Sequence, residues 1–158
     1  FDKGFGNMLF PCIMIGLANA AIVILQDANI MDTIVHALAS TLNNLHASMM
    51  ACGMFVVQDI FNVLVPSGSG QAAITMPIMA PLADMLGVTR QTAVLAFQMG
   101  DAFTNVLAPT GGEILAALAM CKTPYGKWVK YLLPLFVMWW IVAFIFLIYA
   151  TKIGFGPF

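Results

Sequence analysis

Apolar residues fill three stretches that carry no charged side chain at all: Gly4 to Gln26, Ile60 to Ala83 and Tyr131 to Thr151. Each is about as long as the roughly 20 residues that cross the hydrocarbon core of a bilayer. Every backbone group there must find its partner inside the protein, and helices meet that demand most simply. The finer pattern divides the chain. Residues 7–27 read as one spanning helix, with Gly16, Ala18, Ala20 and Ala21 small enough to let a neighbouring helix approach closely. In 30–45 the apolar Ile30, Ile34, Leu38 and Leu45 recur near helical spacing among Asp32, His36, Asn43 and Asn44, which predicts an amphipathic helix along the interface. Residues 47–86 are apolar on both sides of Pro66-Ser67-Gly68-Ser69-Gly70-Gln71, so two helices flank a short polar break at 66–71. Residues 90–121 repeat the design around a break at 108–112, Ala108-Pro109-Thr110-Gly111-Gly112, and 127–152 form a last spanning helix. The fold class that follows is all-α: a polytopic membrane protein fragment with a re-entrant helical hairpin and an unwound transmembrane helix.

Composition supports the membrane reading and removes other classes. Hydrophobic residues make up 61% and charged residues 8%, with a mean hydropathy of +0.94; a soluble domain carries roughly 25% charge. The net charge is −1 and no basic cluster tracks a phosphate backbone, so nucleic acid is not an expected partner. Cys12, Cys52 and Cys121 form no Cys-x-x-Cys pair and read as small buried apolar residues. His36 and His46 belong to the wetter interfacial segment. Lys122, Lys127 and Lys130 surround Thr123-Pro124-Tyr125-Gly126, which points this loop to the cytoplasm. Trp128 and Tyr131 then fall near that interface, Tyr149 and Lys152 near the opposite one, while Trp139 and Trp140 are mid-helix packing residues. The chain opens at Phe1 with no basic n-region and no cleavage site, so no signal peptide is read and a preceding N-terminal half is expected.

The two breaks carry the candidate chemistry. Interrupting a helix in lipid strands backbone N–H and C=O groups at several kcal/mol each unless protein, water or a ligand meets them. In the first break proline removes a donor and small residues let the backbone turn, freeing main-chain groups and the Ser67 and Ser69 hydroxyls. A half-helix beginning near Gly70 offers N–H groups and a positive dipole end to a carboxylate; the carbonyl end of the preceding half suits a cation such as sodium. An ordinary surface turn would look similar. Nothing between Asp59 and Asp84 is charged, however, which favours a hairpin tip at mid-depth. The second break echoes the first, Pro109-Thr110-Gly111 for Pro66-Ser67-Gly68, and Thr110-x-x-Glu113 fits a capping box that starts a half-helix at Thr110. Glu113 is read as that cap rather than as an ion ligand.

Between the breaks Gln98, Asp101 and Asn105 share one helix face by their spacing. Asp101 can hold a proton, coordinate a cation or bond a neighbouring helix, and Asp59 with Asn62 forms a similar pair one helix earlier. Two other classes compete with transport. Gly68-Ser69-Gly70 together with Asp101 and Asp59 suggests an intramembrane protease, but no histidine lies in an apolar span to activate Ser69 and the aspartyl motif is incomplete. A structural or assembly subunit without transport needs only that the polar breaks act as packing devices.

The run Pro66-Ser67-Gly68-Ser69-Gly70-Gln71-Ala72, then Thr75-Met76-Pro77-Ile78-Met79-Ala80-Pro81-Leu82-Ala83-Asp84 and Thr89-Arg90-Gln91-Thr92-Ala93-Val94, resembles the YfcC/C4-dicarboxylate anaerobic carrier family of the ion transporter superfamily. The likeness continues through Phe97-Gln98-Met99-Gly100-Asp101 and Pro109-Thr110-Gly111-Gly112 to Tyr125-Gly126-Lys127-Trp128. It implies two inverted repeats, each with a re-entrant hairpin and an unwound helix, this chain being the second repeat. Carried over, Ser67, Gly68, Ser69, Gly70 and Gln71 with Pro109, Thr110 and Gly111 hold the substrate, and Asn62, Asp101, Asn105 and Ala108 the coupling ion. Gly112 stands where many relatives have serine. The function implied is ion-coupled secondary transport, not enzymatic catalysis: elevator-type movement of C4-dicarboxylates or amino acids, with basic amino-acid antiport as the alternative substrate class. No cofactor is expected beyond Na+ or H+ as coupling ion. The expected partners are the substrate, the lipid bilayer, the N-terminal half and a second copy in a homodimer, in the bacterial inner membrane as a multi-pass protein.

Overall fold

A computed structural model describes residues 47–156 and scattered positions between 13 and 40. The spanning helix expected over 7–27 and the interfacial helix over 30–45 otherwise lie outside the described residues. All regular structure in 47–156 is α-helical: α1 Ala47–Leu64, α2 Gly68–Met85, α3 Arg90–Asn105, α4 Gly112–Met120 and α5 Tyr125–Ile153. The chain is thus all-α, as the apolar pattern requires. The expected final span, 127–152, is extended by two residues at its start and one at its end.

α1 is the central helix. Met50, Ala51, Met54, Phe55, Val57 and Phe61 are buried, and so are the polar Gln58, Asp59 and Asn62. It packs most closely on α3, and the contacts run in the same order along both: Phe55 meets Phe103, Asp59 meets Thr104 and Asn62 meets Asn105. The two helices are therefore parallel, and α2 returns the chain from the end of α1 toward the start of α3. Gly100 permits this approach. A Cβ built there would stand 2.8 Å from Gln58 Cβ and 2.9 Å from the Asp59 backbone nitrogen, closer than any side chain can sit.

α5 covers the α1–α3 pair from one side. Its rings surround Phe55, whose centroid lies 5.4 Å from Trp140, 5.7 Å from Phe144 and 6.0 Å from Phe103, all edge-on. Such pairs are worth roughly 0.5–1.5 kcal/mol each beyond their buried area. Trp139, on Phe103, and Trp140 are packing residues, as their mid-helix position indicates. The opposite face of α5 exposes Tyr131, Val137, Met138, Ile141, Ile145 and Phe146, and among the described residues this is the helix long and apolar enough to cross a membrane. It ends at Gly154, whose left-handed backbone (φ 61°, ψ 50°) returns its N–H to Ala150 and Thr151, with Lys152 complementing the dipole. Beyond it, the Phe155 carbonyl accepts from Thr89 Oγ1 at 2.6 Å, tying the chain end to the start of α3.

α2 touches its neighbours along one stripe, Gln71, Thr75, Met79 and Ala83, each a turn apart. Its Pro77 and Pro81 both lie on exposed positions. The exposed connection to α3 is clasped by Arg90, whose Nη2 lies 2.6 Å from Asp84 Oδ2 and whose Nε bonds both carboxylate oxygens. That guanidinium holds the Asp84 carboxyl below the usual carboxylate range.

Two outcomes follow from this packing. Gly100→Ala forces backbone apart where nothing flexible can yield, so thermal unfolding of the intact protein in detergent is expected to show a loss of about 1–3 kcal/mol. Gly126→Ala, with open space around it, is expected to change nothing. The Asp84 pair acts with the opposite pH sign from a histidine. Its folded pKa lies below the unfolded value of about 3.9, so its contribution is complete above that value and disappears as pH falls through the lowered one. Arg90→Ala is therefore expected to lower the melting temperature slightly at pH 7, and the gap from the parent protein closes on acidification below about pH 4.

Candidate functional site

The break between α1 and α2 is shorter than its sequence suggests. Only Val65, Pro66 and Ser67 leave the helix, and Gly68, Ser69, Gly70 and Gln71 form the first turn of α2. Ser67 is the N-cap, with extended backbone (φ −148°, ψ 108°) and its hydroxyl accepting from the Gly70 N–H at 3.4 Å. Ser67 and Ser69 are exposed, whereas Gln71 is wholly buried. Its amide nitrogen donates to the Gln58 backbone carbonyl (2.9 Å) and to Gln58 Oε1 (2.8 Å), so Gln71 anchors α2 to α1 instead of presenting itself at the tip. Its Oε1 has no protein partner.

The second break covers Val106 to Gly111, and α4 resumes at Gly112. The expected capping box does not form. Gly111 is the N-cap and no side chain caps the helix; Thr110 instead donates to the Val63 carbonyl at 2.9 Å, in the last turn of α1. Glu113 is exposed in the first turn of α4. Thr110 therefore ties the second break to the last turn of α1, which leads into the first, while Gln71 is turned inward.

Across the α1–α3 contact, Asn62 Nδ2 donates to the Asp101 carbonyl at 2.7 Å and to Asn105 Oδ1 at 3.0 Å. Asn105 Nδ2 reaches Asp101 Oδ1 at 3.3 Å. Asn62 is fully buried, yet its Oδ1 has no protein partner. The Asp101 carboxylate faces the start of α2, where a Cβ on Gly68 would lie 3.1 Å from Oδ2. Asn62, Asp101 and Asn105 thus form one cluster of amide and carboxylate oxygens, hard ligands of the kind a small cation takes, with an orphan acceptor among them. Ala108, grouped with them by sequence, stands elsewhere: its carbonyl accepts from Gly111 N at 3.1 Å and it lines a cavity beside Asp59. Gln98 is exposed at the other end of the polar stripe.

Sequence reasoning left three partners unnamed: Gln58, Thr104 and Tyr125. Gln58 and Thr104 are buried, Thr104 donating to Asp59 Oδ1. Uncharged polar residues one turn from Asn62 and from Asp101's face were the available signal. Tyr125 OH bonds the Leu107 carbonyl, and Trp128 Nε1 the Val106 carbonyl at 2.9 Å. Trp128, expected near an interface, thus also has a bonding role: its indole and the Tyr125 phenol occupy the carbonyls freed where α3 unwinds.

The family model described as "C4-dicarboxylate anaerobic carrier" matches residues 1–152. The chain is 35% identical over 160 residues to the Escherichia coli (strain K12) protein named "Putative basic amino acid antiporter YfcC", covering 98% of the chain and 32% of that relative. It is 36% identical over 135 residues to an uncharacterized protein of Haemophilus influenzae (strain ATCC 51907 / DSM 11121 / KW20 / Rd), covering 85% of the chain and 26% of the relative. The chain thus spans a quarter to a third of the length of these curated relatives. No solved structure matches it. The chain belongs to the C4-dicarboxylate anaerobic carrier family.

Asn62→Ala removes two donated hydrogen bonds from a buried cluster and leaves Asn105 Oδ1 without its donor. Thermal unfolding of the intact protein is expected to show a loss of about 1–3 kcal/mol. A loss no larger than that of an exposed control such as Gln98→Ala would remove Asn62 from the network.

Proposed function

We propose that this chain is one half of an ion-coupled secondary carrier for small carboxylate-bearing metabolites, C4-dicarboxylates or amino acids. The observation that carries the reading is the pairing of two helix breaks at neighbouring ends of parallel helices, bridged by the Thr110 bond to Val63. One of the two half-helices, α4, starts with no side-chain cap. Its free N–H groups at Gly112 and Glu113, with the positive end of the dipole, suit a substrate carboxylate; Ser67, Gly68, Ser69 and Gly70 supply the facing wall, and Pro109, Thr110 and Gly111 the hinge. Asn62 Oδ1, the Asp101 carboxylate and Asn105 form the seat of the coupling cation, Na+ in this reading. A cation there offsets the Asp101 charge and gives the buried Asn62 oxygen its missing partner.

The relative named for basic amino-acid antiport supports amino acids as the second substrate class. Transport proceeds by elevator-type alternating access: hairpin and broken helix move together because α1 and α3 are knitted by side chains along their length. The carrier sits as a multi-pass protein in the bacterial inner membrane, assembled with its N-terminal half and with a second copy. It needs no organic cofactor and catalyses no covalent step.

The test uses the full-length protein in liposomes, assayed for uptake and exchange of C4-dicarboxylates and basic amino acids with and without a sodium gradient. Wild type is expected to accumulate a carboxylate-bearing solute. Asp101→Asn is expected to raise the cation concentration for half-maximal transport by about tenfold or more. Absence of gradient-dependent uptake or exchange with every solute would overturn the carrier reading in favour of an assembly subunit.

A further inference from the structure

Asp59 is a buried carboxyl that the cation seat leaves unused. It is 6% exposed, on the face of α1 toward α3, and its hydrogen-bond partner is the Thr104 hydroxyl. Beside it a cavity of about 220 Å³ runs to the second break, walled by Ile60, Val63, Leu107 and Phe136. We propose that Asp59 is a proton-carrying site, distinct from the Asn62–Asp101–Asn105 seat, that closes the α1–α3 contact when loaded and loosens it when empty. The inference rests on the transport reading above.

The charged and titratable groups around it leave no other role so well fitted. From α3 it meets Thr104, while Asp101 lies a turn earlier with its carboxylate toward Gly68 and Asn105. From α5 the neighbouring side chains are Phe136 and Trp140, neither titratable. The Tyr125 phenol is committed to the Leu107 carbonyl. On α2 the sole acid, Asp84, is paired with Arg90 at the far connection, the one ion pair among the described residues. Among the described residues, therefore, no cation faces Asp59.

A carboxylate in such a site is costly, while the neutral acid needs only hydrogen bonds. The closed contact fits the neutral form. When the proton leaves to a water in the cavity, as COOH + H2O → COO− + H3O+, a bare charge remains among apolar walls. Solvating that charge draws water onto the α1–α3 contact and favours its loosening. A cavity of this size holds several waters at about 30 Å³ each, enough to pass a proton to and from the break.

The experiment uses full-length protein in liposomes and in detergent. Asp59→Asn, which keeps the shape and can still bond Thr104, is expected to lose proton-driven accumulation and solute-dependent proton movement by about tenfold or more, while solute-for-solute exchange persists at a reduced rate. Infrared spectra of wild type at mildly acidic pH are expected to contain a protonated-carboxyl band that Asp59→Asn lacks. Undiminished proton-driven accumulation in Asp59→Asn, or spectra in which the variant removes no such band, would overturn the inference. Should Asp59→Asn fail to fold, Asp59→Glu keeps a titratable group: retained proton-driven accumulation with a displaced pH profile supports the site, and an unmoved profile overturns it. A wild type without exchange sinks the carrier reading, and the infrared band then still decides whether Asp59 binds a proton.

Discussion

The close approach of α1 and α3 at Gly100 is the contact on which the rest depends. Two parallel helices brought within backbone distance cannot interpose large side chains, so whatever lies between them must be small or must bond across. This sequence does both. The absent Cβ at Gly100 sets the distance, and Asp59 with Thr104 and Asn62 with Asn105 then bond across on the side toward the breaks. On the other side Phe55 and Phe103 close the gap. The aromatic half is stabilised by area and ring geometry and tolerates no charge. The polar half supplies the carboxyls and amides that a carrier needs, at the cost of requiring partners for each.

Those polar groups stand in register because α1 repeats them at helical spacing. Gln58 holds α2 through Gln71, Asp59 holds α3 through Thr104, and Asn62 holds Asp101 and Asn105. One helix thus gathers both arms of the broken architecture. In a low-dielectric setting each such bond is strengthened and each unmet group penalised, so the network rigidifies the bundle where it is complete and marks ligand positions where it is not. The orphan oxygens of Asn62 and Gln71 are the incomplete points.

Much of this was legible in the sequence, and for identifiable reasons. The apolar runs gave the helices, and the Pro-Ser-Gly and Pro-Thr-Gly clusters located both interruptions to within a few residues, because few other residues free a backbone in lipid. The spacing of Asp101 and Asn105 placed them together, since 3.6-residue periodicity needs no tertiary information. What failed was chemistry decided by tertiary contact. Thr110 had a capping box on paper, but the nearby Val63 carbonyl, at the last turn of α1 where helical acceptors run out, competed for its hydroxyl and won. Gln71 looked like part of a polar tip, yet it lies one turn into α2 on the stripe that faces Gln58. The share of Gln58 and Thr104 was hidden because a single uncharged polar residue in an apolar run carries no indication of its partner.

The carbonyls at the second break show how such contacts redirect function. From sequence alone, unwinding α3 leaves main-chain oxygens free, and a cation is their obvious occupant. In the fold, Tyr125 and Trp128 reach back from the start of α5 and donate to Leu107 and Val106, while Ala108 accepts from Gly111. The break is therefore largely satisfied by the protein itself, and its carbonyl end loses its claim on an ion. The unmet side-chain oxygen of Asn62 lies instead on the α1–α3 seam, away from the hinge. The hinge is left with an uncapped α4 terminus, whose unmet groups are donors rather than acceptors.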